Sequence, residues 1–264
     1  MKKNIVCLSA FCILGYAFIF AVHPKTMAVP ENRLSATDSA IRPFALLELY
    51  TSEGCSNCVR AYTVADAFFK AATVYHEQIY LLDFHVDYFN DPWVDPYSSP
   101  RNTARQESYK RFFPNAGVYT PQMVVNGGEV LLASSAKRAD AAVTRALKIT
   151  PAARITITYA AMVRDSSVEV RFTTGNIPPD SMIDIALVQQ TIVQKILKGE
   201  NAEKTLTHHN VVRSMIRIPA KDGTALIHLP HLSNDKNAVF SIIAFRQDLS
   251  TMKIVAAAEK DVKN

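Results

Sequence analysis

The chain has 264 residues, of which 48% are hydrophobic and 20% charged. That balance excludes a disordered or collagen-like chain and leaves room for one large domain or two of ordinary size. The formal charge of +5 is no sign of nucleic-acid binding. Lys2, Lys3 and Lys25 lie in the first 28 residues, which contain no acid, and the remainder holds 26 basic against 24 acidic residues. It shows neither a Lys/Arg cluster nor the aromatic–basic interleaving of single-strand binders.

Residues 1–28 read as a signal peptide. Met1-Lys2-Lys3 is a basic start, Ile5 to Val22 carries no charge, and Pro24 followed by Thr26-Met27-Ala28 supplies a breaker and a small-residue cleavage pattern. An uncleaved anchor is the alternative, because the apolar run is just long enough to span a bilayer. Export implies a periplasmic or secreted protein, touching a membrane only if the signal stays attached. Residues 29–42 read as a flexible lead-in.

Phe44 to Tyr50 is a short apolar run, expected as a buried strand, and Thr51 to Gly54 is the turn after it. From Cys58 to about His76 the apolar residues recur at helical spacing, and Ile79 to Val86 is a second strand. Asp87 to Pro100 is rich in turn residues, and a short helix is expected over roughly Asn102 to Phe113, within an insertion spanning about 88–117. Val118 to Val125 and Gly128 to Leu132 read as strands joined at Asn126-Gly127, a strong hairpin signal. Ser135 to Leu147 closes this part as a helix. After Pro151 the pattern becomes period-two alternation in seven stretches: 155–162, 168–173, 183–193, 211–218, 225–229, 239–246 and 254–258. Turn signals at Gly175-Asn176, Pro178-Pro179 and Asp222-Gly223 separate some of them. This predicts an all-β antiparallel sandwich over 151–264, following an α/β domain over 43–150 whose element order is that of a thioredoxin fold.

Once residues 1–28 are removed, taking Cys7 and Cys12 with them, only Cys55 and Cys58 remain. In an oxidising compartment cysteines usually close long structural loops. A bridge two residues apart constrains the unfolded chain little, so this pair reads as a redox centre. Cys55 at a helix start lies near free backbone N–H groups and the positive end of the helix dipole, which favour its thiolate. Cys58, one turn on, can resolve a mixed disulfide. Tetrathiolate zinc is excluded for want of a second pair; a mixed site with histidines stays open.

Thr120-Pro121 precedes a strand. A cis bond there would turn the Thr120 backbone towards the cysteines, where it can pair with a bound peptide strand; an ordinary trans proline at a strand start is the alternative. His85 and Asp87 share a face at the end of the second strand. They read either as substrate-groove residues or as a capped strand end. His208 and His209 are adjacent in a strand and point to opposite faces, so ordinary polar positions are expected rather than a metal site. No cofactor is expected.

Gly54-Cys55-Ser56-Asn57-Cys58 after a strand, with the stretch Ala116 to Glu129 around Thr120-Pro121, resembles the thioredoxin superfamily. More closely, Leu49 to Cys58, Phe84-His85-Val86-Asp87-Tyr88, Tyr119 to Val125 and Gly199 to Arg213 resemble a family of uncharacterised secreted, thioredoxin-like proteins of Gram-negative bacteria. The resemblance implies Cys55 as the attacking cysteine, Cys58 as the resolving one and Pro121 as a cis-proline. Relatives often continue with Pro-Pro-Ala-Asp, where this chain has Val59-Arg60-Ala61-Tyr62. Arg60 would lower the thiol pKa and Glu53 would raise it. The expected function is periplasmic thiol–disulfide exchange with cysteine-containing exported proteins or a redox partner. A non-catalytic binding module and a copper(I)-handling dithiol are the alternatives.

Overall fold

A strand buried on both faces must lie inside a sheet that is covered on both sides. In the computed structural model this holds for β1 (Ala45–Thr51) and β2 (Ile79–His85), in which all fourteen positions are buried. The structure describes residues 41–163, 166–178, 181–221, 223–230 and 237–263. The expected signal peptide, the lead-in up to residue 40, and Pro179 and Asp222 of two expected turns lie outside these.

β1 and β2 run parallel, in register from Ala45↔Ile79 to Thr51↔His85, and are connected by α1 (Cys58–Val74). On the other edge of β1 comes β3 (Gln122–Val125), antiparallel, hairpinned to β4 (Glu129–Leu132). The hairpin turns at Asn126 (φ 45°) and Gly127 (φ 63°). Gly127 is obligatory, because a Cβ there would stand 1.8 Å from the Met252 carbonyl oxygen. β3 starts only at Gln122, later than the apolar run suggests, since Pro121 has no N–H to give to a ladder.

α1 and α3 (Ala136–Ala146) cover one face of this sheet, packing Ala61, Val64, Phe68 and Val143 on Leu47, Leu49, Leu81 and Met123. α2 (Pro100–Ser108) covers the other. Its start is set by Ser99, whose hydroxyl accepts from the Arg101 amide, and it tightens into a 3-10 turn at Tyr109–Arg111.

Seven strands follow residue 151, six of them close to the stretches read from alternation and β8 starting six residues before the expected 211: β5 (Arg154–Met162), β6 (Ser167–Gly175), β7 (Met182–Lys195), β8 (Thr205–Pro219), β9 (Gly223–His228), β10 (Phe240–Gln247) and β11 (Ile254–Asp261). Their pairing differs from the expected self-contained domain. Four of them extend the first sheet into one of eight strands, ordered β11-β10-β7-β8-β2-β1-β3-β4. Only β5, β6 and β9 form a separate antiparallel sheet, which faces β7, β10 and β11 across a core of Ile155, Val170, Phe172, Ile183, Ile185 and Ile242. The boundary expected at Thr150-Pro151 falls inside a single compact unit, 41–264. The reason is the outer edge of β2: a strand buried on both faces cannot leave its edge groups unpaired, and β8 covers them through a parallel contact at Asp83↔Val211.

The two halves are also tied through a buried ion pair. Glu48, on β1, receives two hydrogen bonds from Arg105 of α2, at 2.6 and 2.8 Å, with the carboxylate wholly buried. Tyr50 and Tyr109 hydroxyls donate to the same carboxylate. Gln247, near the end of β10, accepts from Arg105 and donates to Tyr109. Arg105 also lies over the rings of Phe84 and Phe245. Removing one partner strands the other charge in the core. Arg105→Met is therefore expected to lower unfolding stability by about 3–5 kcal/mol in urea titrations. Arg145→Met, which breaks the exposed pair with Glu129, should cost under about 1 kcal/mol.

Candidate functional site

The cysteine turn sits at the carboxyl end of β1. Ser52 carbonyl accepts from the Cys55 amide and Cys55 carbonyl from the Cys58 amide. Gly54 leaves no room for a side chain, since a Cβ would come within 2.5 Å of the Phe89 carbonyl oxygen. Asn201, from the loop between β7 and β8, donates its side-chain amide to the carbonyls of Glu53 and Cys55 at 2.8 and 3.0 Å. The turn is thus clamped by a residue nearly 150 positions away in the chain. Helix α1 begins at Cys58 with Asn57 as its N-cap, so Cys55 stands just before the helix rather than in its first turn.

Both cysteines are reduced and buried, Cys55 at 2% exposure and Cys58 at 0%. Their environments pull apart. The Cys55 thiol is lowered to about 7, chiefly by the Cys58 thiol donating to its sulfur. Burial opposes this, and the Thr120 hydroxyl and the amides of Cys58 and Asn57 add to it. Cys58 is pushed far up, first by burial and then by its bond to Cys55. Arg60, expected to act on the thiols, is exposed; neighbouring donors do that work instead. The Thr120–Pro121 peptide is cis. Its loop is held by Gln106 of α2, which donates to the Tyr119 carbonyl and to Gln122.

Beneath the cysteine turn lies a second polar group that single-sequence reading does not assemble. His85 is completely buried, its Nδ1 2.7 Å from Asp95 and its Nε2 3.2 Å from Asp83. Burial opposes a charged imidazole, but the two carboxylates outweigh it and raise the His85 pKa. Burial alone would raise Asp95; the facing His85 ring and the amides of Glu53 and Tyr97 hold it below the usual carboxylate range. Thr51 donates to Asp83, and Glu53 takes the Trp93 indole N–H at 2.8 Å and contacts His208 Nε2 at 3.0 Å. Tyr62 of α1 joins the two groups: it packs with Cys55 and Cys58 and stands edge-on to His208, 4.5 Å between centroids.

His85, expected as a groove residue or a capped strand end, is fully buried. Asp87 accepts from the Thr103 hydroxyl, which ties the end of β2 to α2. His208 and His209 both meet α1: His208 stands edge-on to Tyr62, and His209 stacks on Phe69 at 4.1 Å and reaches Asp66. Asp83, Asp95, Glu53, Tyr62 and Asn201 are the residues missed. Only the acid next to the cysteine motif and the matched stretch 199–213 offered a signal. A cavity of about 1070 Å³ opens between α2 and β7–β8, and Tyr97 on its wall stands edge-on to His85 at 5.7 Å.

Residues 46–247 match the family described as "Protein of unknown function (DUF1223)", and the chain belongs to that family. Protein AGR_C_4864 from Agrobacterium tumefaciens has a similar crystal structure, at 21% identity and a TM-score of 0.58, covering 83% of this chain and 94% of that one. It shares the fold. PorU from Porphyromonas gingivalis (11% identity, TM-score 0.30, 62% of this chain and 16% of that one) and a β-glucuronidase from Ruminococcus gnavus (9%, 0.24, 42% and 16%) are much weaker likenesses. No curated protein matches the sequence.

At neutral pH Cys55 is divided between thiol and nucleophilic thiolate, while Cys58 holds its proton. Alkylation of the reduced protein by iodoacetamide should modify Cys55 first, with a rate that rises with pH about a midpoint near 7. Thr120→Val removes a neighbouring hydroxyl that lowers the Cys55 thiol, so its midpoint should move upward. Peptide mapping of the labelled protein across pH checks both.

Proposed function

We propose that this protein is a thiol–disulfide oxidoreductase of exported proteins, built on a thioredoxin-like fold and working in the periplasm or outside the cell. The observation that carries the reading is the opposed displacement of two neighbouring thiols, Cys55 down and Cys58 up, beside the Thr120 hydroxyl. The strand order β2-β1-β3-β4, with α1 and α3 on one face and α2 on the other, supports the fold assignment. The apolar, uncharged run near the amino terminus supports export.

In the reductive direction the Cys55 thiolate attacks one sulfur of a substrate disulfide. The new bond is a mixed disulfide, and the other substrate sulfur leaves as a thiolate that takes up a proton. Cys58 then gives up its proton and attacks the Cys55 sulfur, expelling the second substrate thiolate. Two electrons have passed to the substrate and Cys55–Cys58 is oxidised; a dithiol partner returns it to the reduced form. The same steps reversed oxidise a substrate dithiol. Val59, Phe89 and Trp93 pack on the cysteine cluster. With Cys55 at 2% exposure, a protein substrate must displace some of this cover to reach the sulfur.

Cys58→Ser should accumulate mixed disulfides at Cys55 with exported proteins, seen as adducts that dithiothreitol releases. Insulin reduction should disappear in Cys55→Ser. Adducts no more abundant than in a Cys55→Ser/Cys58→Ser control, or undiminished reduction by Cys55→Ser, would sink the proposal.

A further inference from the structure

The buried group beneath the cysteines has a property that hydrogen bonding alone leaves unexplained. Asp83, His85 and His208 each offer one ligand atom, all within 4.8 Å of one another, and all three residues are buried. In each, one polar atom is already engaged outward from the trio. Asp95 holds His85 Nδ1, Thr51 donates to Asp83 Oδ1, and Glu53 holds His208 Nε2. What remains is His208 Nδ1 together with His85 Nε2 and Asp83 Oδ2, which face each other at 3.2 Å. His208 Nδ1 is a buried nitrogen with no hydrogen-bond partner among the described residues, which is costly for a polar atom at 0% exposure.

We infer that Asp83, His85 and His208 form a binding site for one divalent transition-metal ion of the zinc class, separate from the dithiol. Two imidazoles with one carboxylate are a donor set suited to zinc and its neighbours and poorly suited to calcium or magnesium. Bonds of about 2.0–2.1 Å at a tetrahedral angle place ligand atoms about 3.3 Å apart. His85 Nε2 and Asp83 Oδ2 stand 3.2 Å apart, close to that separation. Bringing the His208 nitrogen in requires a shift of at most about 1.5 Å, achieved by turning its ring. The outward partners have the form metal sites use: a carboxylate on the second nitrogen of each histidine fixes ring orientation and raises ligand basicity. Tyr97, half-buried and edge-on to both rings at 5.7 and 6.3 Å, also lines the 1070 Å³ cavity.

The position suggests what the ion does. Asp83 and His85 belong to β2 and His208 to β8, and these strands meet in register only at Asp83↔Val211. An ion shared between them staples that seam. The inference does not depend on the redox reading, and it predicts that the cysteines are dispensable for the metal.

The test is to strip the purified, reduced protein with EDTA under denaturing conditions, refold it with Co²⁺ or Zn²⁺, desalt, and measure metal per chain. Expected are one ion per chain, visible Co²⁺ ligand-field bands without the near-ultraviolet thiolate-to-cobalt band, and the same in Cys55→Ser/Cys58→Ser. Zn²⁺ should raise the melting temperature of that double variant. His208→Gln and Asp83→Asn should each cut retained metal at least tenfold. If either variant misfolds by circular dichroism, the double cysteine variant decides alone. A protein that retains no ion, or retains it through a thiolate band lost in the double variant, overturns the inference.

Discussion

A carboxylate at the middle of a strand buried on both faces is the constraint around which this fold is arranged. Glu48 cannot reach water, so its charge requires a partner brought to it, and Arg105 must be presented by an element lying across the sheet. That places α2 on the face opposite α1 and α3. Two tyrosines and Gln247 then complete the carboxylate and guanidinium, drawing β10 to the same point. With α2 fixed, Gln106, one residue on, is positioned to hold the Tyr119 carbonyl and so the loop that carries Thr120 to the cysteines. A charge in the core thus determines, through two hydrogen-bonded steps, where a hydroxyl stands against a thiol.

The same strands carry two polar groups without conflict because their side chains alternate. Leu46, Glu48 and Tyr50 face α2; Leu47, Leu49 and Thr51 face α1. On β2, Ile79 and Leu81 pack against α1, and the same parity brings Asp83 and His85 to that face as the strand ends. Each strand is therefore apolar where it begins and polar where it finishes, and both finish at the cysteine turn. Clustering of reactive groups at the carboxyl ends of parallel strands is the general rule for open α/β sheets, and here it follows from where the apolar residues stop.

Much of this was legible, and the division between what was and was not is physical. Elements are local: the helix from Cys58, the hairpin at Asn126-Gly127 and six of the seven later strands follow from periodicity and turn residues close to their observed bounds, while β8 begins six residues before the expected 211. The Cys55–Cys58 pair and Thr120-Pro121 were visible because each is a short motif. Strand destination was not. Alternation says that one face of β7 or β8 is buried, but not that β8 will lie beside β2, so the second half read as a domain of its own. The unbroken buried run Ile183–Gln189 in β7, with Ile183, Ile185 and Leu187 in one core and Ala186 and Val188 in another, records that double covering. The polar group around His85 was illegible for the same reason. Glu53 and His208 are 155 positions apart and meet only because β8 joins β2. Without that contact His85 reads as a groove residue or a capped strand end, whereas the structure buries it between Asp83 and Asp95.

The seam between β2 and β8 is where these arguments meet. It carries little ladder hydrogen bonding, with one residue pair in register, and so depends on side chains to hold it. The side chains that do so are ionisable, buried and shared with the cysteine turn: Glu53 supplies the backbone that Asn201 clamps and the carboxylate that His208 meets. Tyr62 transmits the contact to the cysteines directly, since its ring packs against them on one side and His208 on the other. Whatever balances charge in the seam therefore acts on the joining of the two halves beside the cysteine turn. A sheet that could have been closed by ordinary apolar packing is closed by groups whose state depends on chemistry, and that couples the stability of the fold to the state of the site.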